Sequence, residues 1–72
     1  MYANVIVEYE VKALNKMFIY KIPNVLLGKV KVGMKVYVPF GYQEVFGFVL
    51  EILDNNDTDY ETKEIIRIDN ED

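Results

Sequence analysis

Lysines, tyrosines and carboxylates are the side chains of this sequence with the widest chemical use. Its 72 residues include no Cys, His, Ser or Trp. Thiol and imidazole groups supply most structural metal sites, and together with serine they supply most nucleophiles and general bases. A self-contained enzyme is therefore not expected, and binding is the more natural use of what remains.

The charges are distributed unevenly along the chain. Residues 1–43 hold six lysines and two glutamates, which gives +4, whereas residues 44–72 hold two basic and ten acidic side chains, which gives −8. A basic first part favours an anionic partner. The alternative is that these lysines only keep a small apolar domain soluble.

Aromatic and basic side chains interleave in the basic part. This mixture is typical of surfaces that bind single-stranded nucleic acid, where bases stack on rings and lysines follow the phosphates. Alternatively, Phe18 and Tyr20 belong to the hydrophobic core, because period-two alternation places both side chains on one face of their strand. The interleaved residues are Lys16, Phe18, Tyr20, Lys21, Lys35, Tyr37 and Tyr42.

An acidic stretch at 54–61 invites a calcium interpretation that its spacing excludes. An EF-hand loop starting at Asp54 requires glycine where Asp59 stands and glutamate where Ile65 stands. We therefore expect a solvated polar loop at 54–59 and a polar tail at 69–72.

Period-two alternation predicts short strands at 3–11, 17–22 and 34–39. The apolar run 45–53 predicts a strand buried on both faces, and Gly47 within it predicts a bulge or a close backbone approach. A last strand is expected at 64–68, a single helical turn at 24–28, and a tight turn at Phe40 and Gly41. Pro39 is expected to end its strand or to lie at a sheet edge.

These elements predict one mainly β domain over residues 1–72. About five or six short strands form a small, strongly bent sheet that closes into an OB-like barrel. No apolar stretch is long enough for a membrane span, and the first residues lack the features of a signal peptide. We therefore expect a cytoplasmic location and no membrane partner.

Several motifs, in order and at the right spacing, resemble the N-terminal domain of PriA, the bacterial primosomal replication-restart helicase. They are KMFIYKIP at 16–23, VGMKVYVPFG at 32–41 and VFGFV at 45–49, with ANVIV at 3–7 and KEII at 63–66. The resemblance covers nearly the whole chain and implies a DNA-binding domain cut from a larger helicase.

The resemblance implies that this domain recognises the 3′ end of the nascent leading strand at stalled replication forks and helps the helicase to load. Its partners are the DNA 3′ end and the helicase core of the parent chain. The ATP and zinc of the parent family belong to other regions, so the domain is expected to have no cofactor, no metal and no catalytic residue.

The resemblance also implies the binding residues. Phe18 packs against a sugar or base, Gly41 lets a nucleotide approach the backbone, and Lys63 meets a phosphate or base acceptor. Ile19 stands where many members have an aspartate, and isoleucine cannot accept a hydrogen bond from a base. Lys16 and Tyr42 complete the DNA-binding set, in which Gly41 and Lys63 are expected to line one small cavity. Tyr20 is assigned to the core, whereas Phe18 remains open between core and ligand.

The alternative from another functional class is a protein-interaction barrel. In that case exposed tyrosine and phenylalanine side chains dock a partner domain or peptide. A basic and aromatic patch on one face favours DNA, and an apolar patch away from the lysines favours a protein partner.

Overall fold

The computed structural model describes residues 1–8, 16–55 and 60–69. The prediction of a mainly β domain is confirmed: the described residues form five strands and one 3-10 turn. The strands are β1 (Tyr2–Glu8), β2 (Lys16–Lys21), β3 (Lys35–Phe40), β4 (Gln43–Leu53) and β5 (Arg67–Ile68), and the 3-10 turn is Asn24–Leu26. Gly28 follows that turn with a φ of +80°.

All five strands belong to one antiparallel sheet with the order β2-β1-β4-β3-β5. The inward side chains of β1 alternate as the sequence predicts, since Ala3, Val5 and Val7 are buried while their neighbours are only partly covered. Burial of these side chains supplies the main favourable free energy of a domain this small. The rest of the core is Tyr20, Ile22, Val30, Val36, Val38, Val49 and Ile65.

The prediction that β4 is buried on both faces is wrong. Gly47 and Val49 are buried, whereas Phe48 and Leu50 are 38% and 43% exposed. A single sheet that curves over its own core leaves its outer face without a covering layer, so an apolar run does not guarantee two-sided burial.

The close approach predicted at Gly47 is confirmed. A Cβ atom at this position would lie 2.5 Å from the main-chain oxygen of Ile6 and 2.7 Å from a Val5 methyl carbon. The irregularity in the β1–β4 register lies elsewhere, because Asn4 pairs with Glu51 but Val5 pairs with Val49. Glycine therefore allows β1 and β4 to pack closely, and the extra residue in β4 bends the sheet.

Residues 63–69, which include β5, connect β2 and β3, the two outer strands of the sheet that β1 to β4 form. At the β2 edge, the N–H of Lys21 donates to the Lys63 carbonyl at 2.8 Å, and the N–H of Ile65 donates to the Lys21 carbonyl at 3.0 Å. At the β3 edge, the N–H of Ile66 donates to the Tyr37 carbonyl at 2.8 Å. The sheet therefore curls until one short segment spans its edges, and only residues 67–68 of the strand expected at 64–68 form a regular strand.

At Pro39 the side of β3 that faces away from β4 is unpaired, so this proline lies at a local edge of the sheet, as predicted. Residues 35 and 37 direct their main-chain oxygens toward the last segment, and β5 pairs only with Val36 and Tyr37. Pro39 lies beyond this pairing, so its missing N–H leaves no gap in a ladder.

Some expectations concern residues outside the described ranges. These are the end of the first strand at 9–11, part of the polar loop at 56–59 and the acidic tail at 70–72. Across the described ranges, no helix is long and apolar enough to cross a membrane.

Candidate nucleic-acid interface

A small surface cavity of about 200 Å³ lies where three segments of the chain meet. The segments are β2, the turn between β3 and β4, and the stretch that leads into residues 63–69. The lining residues are Phe18, Ile19, Tyr20, Pro39, Phe40, Gly41, Tyr60, Glu61 and Lys63. Residues far apart in sequence therefore share one concave surface.

Aromatic rings form one wall of the cavity. The Phe18 ring meets the Phe40 ring edge to face, with centroids 5.4 Å apart, and it meets the Tyr60 ring in the same manner at 6.4 Å. Phe18 is partly buried and packs against the core. Phe18 therefore supports the fold and also presents an aromatic surface to the cavity, whereas its contact with a nucleotide stays a prediction.

Tyr20 closes the floor of the cavity from inside the core. The side chain is 5% exposed, and its hydroxyl donates a hydrogen bond of 2.9 Å to the Pro39 carbonyl. Burial, and secondarily the nearby Tyr60 phenol, raises the pKa of Tyr20 to about 12. The neutral phenol thus links β2 to the end of β3, which confirms the assignment of Tyr20 to the core.

Ile19 and Tyr60 meet at the outer edge of β2. The main-chain N–H of Ile19 donates to the Tyr60 hydroxyl oxygen at 2.7 Å. This contact satisfies an edge donor that a sheet otherwise leaves to water. It also holds Tyr60 against the cavity, next to the position where the resembling family has an aspartate.

Gly41 occupies the first position of the two-residue turn between β3 and β4. Its φ is +63° and Tyr42 has no positive φ, as in the type II′ turns that favour glycine at this position. A Cβ atom at Gly41 would have no neighbour within 4 Å. The space beside the Gly41 α-carbon is therefore open.

Glu61 and Lys63 are the charged residues of the cavity lining. Both are exposed, and neither side chain forms an ion pair with any residue in the described ranges. The main chain of Lys63 is fixed by its hydrogen bond from Lys21. The cavity therefore offers one cation and one carboxylate to a ligand. No cluster suited to hold a metal ion occurs among the described residues.

Four of the six residues expected to bind DNA line this cavity: Phe18, Ile19, Gly41 and Lys63. Lys16 begins β2 and Tyr42 is fully exposed in the turn, and both lie outside the lining. Sequence reasoning did not select Tyr60 or Glu61 for the site. The feature of the sequence that could have selected Tyr60 and Glu61 is their position shortly before Lys63, a lysine already expected to bind DNA.

A second group of aromatic side chains lies on the outer face of β3 and β4. Phe46 and Phe48 meet edge to face at 6.1 Å, and Lys35 lies 4.5 Å from the Phe46 centroid. Arg67 lies 3.8 Å from the Tyr37 centroid. Both cations already have acidic partners, with Lys35 3.5 Å from Asp69 and Arg67 3.1 Å from Glu44. Counted over the part of the chain that the structure describes, this face therefore offers a nucleic acid less positive charge outside ion pairs than the cavity does.

Comparison with known proteins gives one family and one curated relative. Residues 4–72 match the family described as the 3′DNA-binding domain (3′BD). The chain is 43% identical over 56 residues to the replication restart protein PriA of Bacillus subtilis (strain 168). That alignment covers 78% of this chain but 7% of the relative's length. No solved structure matches the chain.

The raised pKa of Tyr20 predicts a loss of stability at high pH. Between pH 10 and 12 the unfolded tyrosine releases its proton while the native one keeps it, so the free energy of unfolding falls as the pH rises. The shift to about 12 corresponds to a fall of roughly 2–3 kcal/mol. Urea unfolding measured at several pH values should show this component in the wild-type domain and not in Tyr20→Phe.

The phenylalanine variant should also lose about 1 kcal/mol at pH 7, because the Pro39 carbonyl loses its donor. Tyr42→Phe is the matched control, since the Tyr42 side chain is fully exposed. Identical pH profiles for the wild type and Tyr20→Phe would contradict the account of Tyr20.

Proposed function

This chain belongs to the 3′DNA-binding domain family, and from that membership we propose that it binds the 3′ end of the nascent leading strand at stalled replication forks. In this proposal the domain helps a replication-restart helicase to load. It acts by positioning DNA and performs no catalytic step itself.

The observation that carries the proposal is the cavity shared by Phe18, Gly41 and Lys63. Its lining comes from three segments, namely β2, the turn and residues 60–63, and its volume is about 200 Å³. An internal nucleotide requires an exit for the strand on both sides, whereas a terminal nucleotide requires one. In this proposal the small cavity receives the single terminal nucleotide, and the strand leaves it on one side.

Each lining group has a physical role in the proposal. Phe18 supplies a ring edge or face for the terminal sugar or base, and stacking of this kind contributes ~1–3 kcal/mol per base. Gly41 lets the nucleotide approach the main chain, and Lys63 supplies a cation for the last phosphodiester or for an acceptor on the base. The contacts to the aromatic ring, to the main chain and to the phosphodiester do not depend on which base is present.

Ile19 should weaken base recognition in this chain. The isoleucine side chain has no acceptor, and its main-chain N–H is already bonded to Tyr60. We therefore propose that the domain recognises the end of a strand through its sugar and phosphate more than through the identity of its base. Contacts of that type position a nucleic acid without reading its sequence.

The remainder of the proposal concerns the longer protein. The alignment covers a small fraction of the relative, so we propose that the helicase core of the parent chain, its ATP and its zinc lie outside this domain. The domain works beside that core in the cytoplasm. The outer aromatic face, from Tyr37 to Phe46 and Phe48, is a surface against which the core can pack.

Protein docking remains the second candidate function because of that same face. Phe48 and Leu50 are substantially exposed there, away from the cavity. A domain that only docks a protein partner has no reason to distinguish one DNA end from another. Binding experiments with defined ends therefore separate the two functions.

We expect binding to require a free 3′ end. The probe is an internally labelled single-stranded oligonucleotide with a normal 3′ hydroxyl. The comparison strand has the same sequence but ends in a 3′–3′ linked nucleotide, so that it has two 5′ ends and no 3′ end. Fluorescence anisotropy at low salt should show at least roughly tenfold tighter binding to the normal strand, and equal affinities would contradict the proposal.

Lys63→Ala should weaken DNA binding roughly tenfold, because the variant loses one charge-assisted hydrogen bond and a loss of that size in free energy corresponds to about this change in affinity. It should also reduce the slope of log K against log salt concentration by about one unit. The fold should survive, because residue 63 is anchored by its main-chain oxygen. Lys29→Ala is the matched control, since Lys29 is exposed and outside the cavity lining. An unchanged slope in Lys63→Ala would remove this lysine from the interface.

A further inference from the structure

We propose that Glu61 makes the cavity selective for a strand that ends in a hydroxyl over a strand that ends in a phosphate. The proposal rests on the function proposed above and assigns a specificity-determining role to a residue that sequence reasoning did not select. Glu61 is the carboxylate of the cavity lining.

The first step of the argument is the balance of donors and acceptors in the cavity. A terminal 3′ hydroxyl is a hydrogen-bond donor and requires an acceptor. The Pro39 carbonyl already accepts from Tyr20, and the Tyr60 hydroxyl oxygen already accepts from Ile19. A carboxylate is an acceptor with several lone pairs, so Glu61 is the side chain best suited to receive the terminal hydroxyl.

The second step is the charge of Glu61. Its carboxylate has no ion-pair partner in the described ranges, so its negative charge is not neutralised within them. A monoester phosphate at the strand terminus brings a charge of about −1.5 to −2 at neutral pH. Placed beside that carboxylate in a small cavity, such a group is repelled and loses the acceptor that the hydroxyl uses.

The third step concerns Lys63, which shares the cavity with Glu61. A lysine alone attracts a terminal phosphate more strongly than a hydroxyl, because the phosphate carries the greater charge. A cavity whose only charged residue is Lys63 would therefore favour a strand that ends in a phosphate. Glu61 opposes that preference while Lys63 still contacts the phosphodiester that precedes the last nucleotide.

The test compares three single strands of one sequence that end in a 3′ hydroxyl, a 3′ phosphate or a 3′–3′ linked nucleotide. Affinities are measured for the wild type, Glu61→Gln and Glu51→Gln. The Glu61 variant keeps the side-chain shape and removes its charge. Glu51→Gln removes the same charge from an exposed position of β4 outside the cavity lining. Buffer near 0.15 M ionic strength screens exposed charges that lie more than about 8 Å apart.

We expect the wild-type domain to bind the hydroxyl end at least roughly tenfold tighter than the phosphate end. In Glu61→Gln that ratio should fall at least about fivefold, mainly through tighter binding of the phosphate end. In Glu51→Gln the ratio should stay at the wild-type value.

The proposal is overturned if Glu61→Gln keeps the wild-type ratio, if the wild type does not prefer the hydroxyl end over the phosphate end, or if Glu51→Gln changes the ratio as much as Glu61→Gln. These results leave the proposed function intact as long as the wild type still prefers the hydroxyl end to the 3′–3′ linked end. Equal binding of those two strands overturns the proposed function and the role of Glu61 with it.

Discussion

The structure depends on the main-chain hydrogen bonds that residues 63–69 make to both edges of the sheet. Lys21 and Lys63 bond at the β2 edge, Tyr37 and Ile66 bond at the β3 edge, and Ile65 between them is 2% exposed in the core. Unpaired edges are a liability for a small β domain. The same bonds place the residues just before this segment against β2 and the turn that follows β3, which creates the cavity.

The cavity combines a rigid floor with an uncovered rim. Its floor is rigid because Tyr20 is buried and bonded to Pro39, and because Phe18 packs between Phe40 and Tyr60. Its rim is formed by the glycine turn and by charged side chains without ion-pair partners in the described ranges. A preformed surface of this kind binds a ligand at a lower entropic cost than a surface that must first become ordered.

Much of this arrangement follows from local sequence patterns. Period-two alternation locates β1, β2 and β3, and glycine preferences locate the turn at Gly41 and the close approach at Gly47. The placement of Tyr60 does not follow from local pattern, because its bond to Ile19 joins residues 41 positions apart. The exposure of Phe48 was also mispredicted, since an apolar run cannot tell whether a second layer covers it. Family resemblance selected Phe18, Gly41 and Lys63, whereas only the fold adds Glu61 to them.

The most direct measurement of the central claim is a map of backbone amide chemical-shift changes when a short single strand with a free 3′ hydroxyl is added to the domain. If the cavity binds the strand end, the largest changes fall at residues 18–20, 41 and 60–63, and the amides of Phe46 and Phe48 change little. The largest changes at Phe46 and Phe48, with none at Gly41 and Lys63, would contradict the account and favour the outer face as the binding surface.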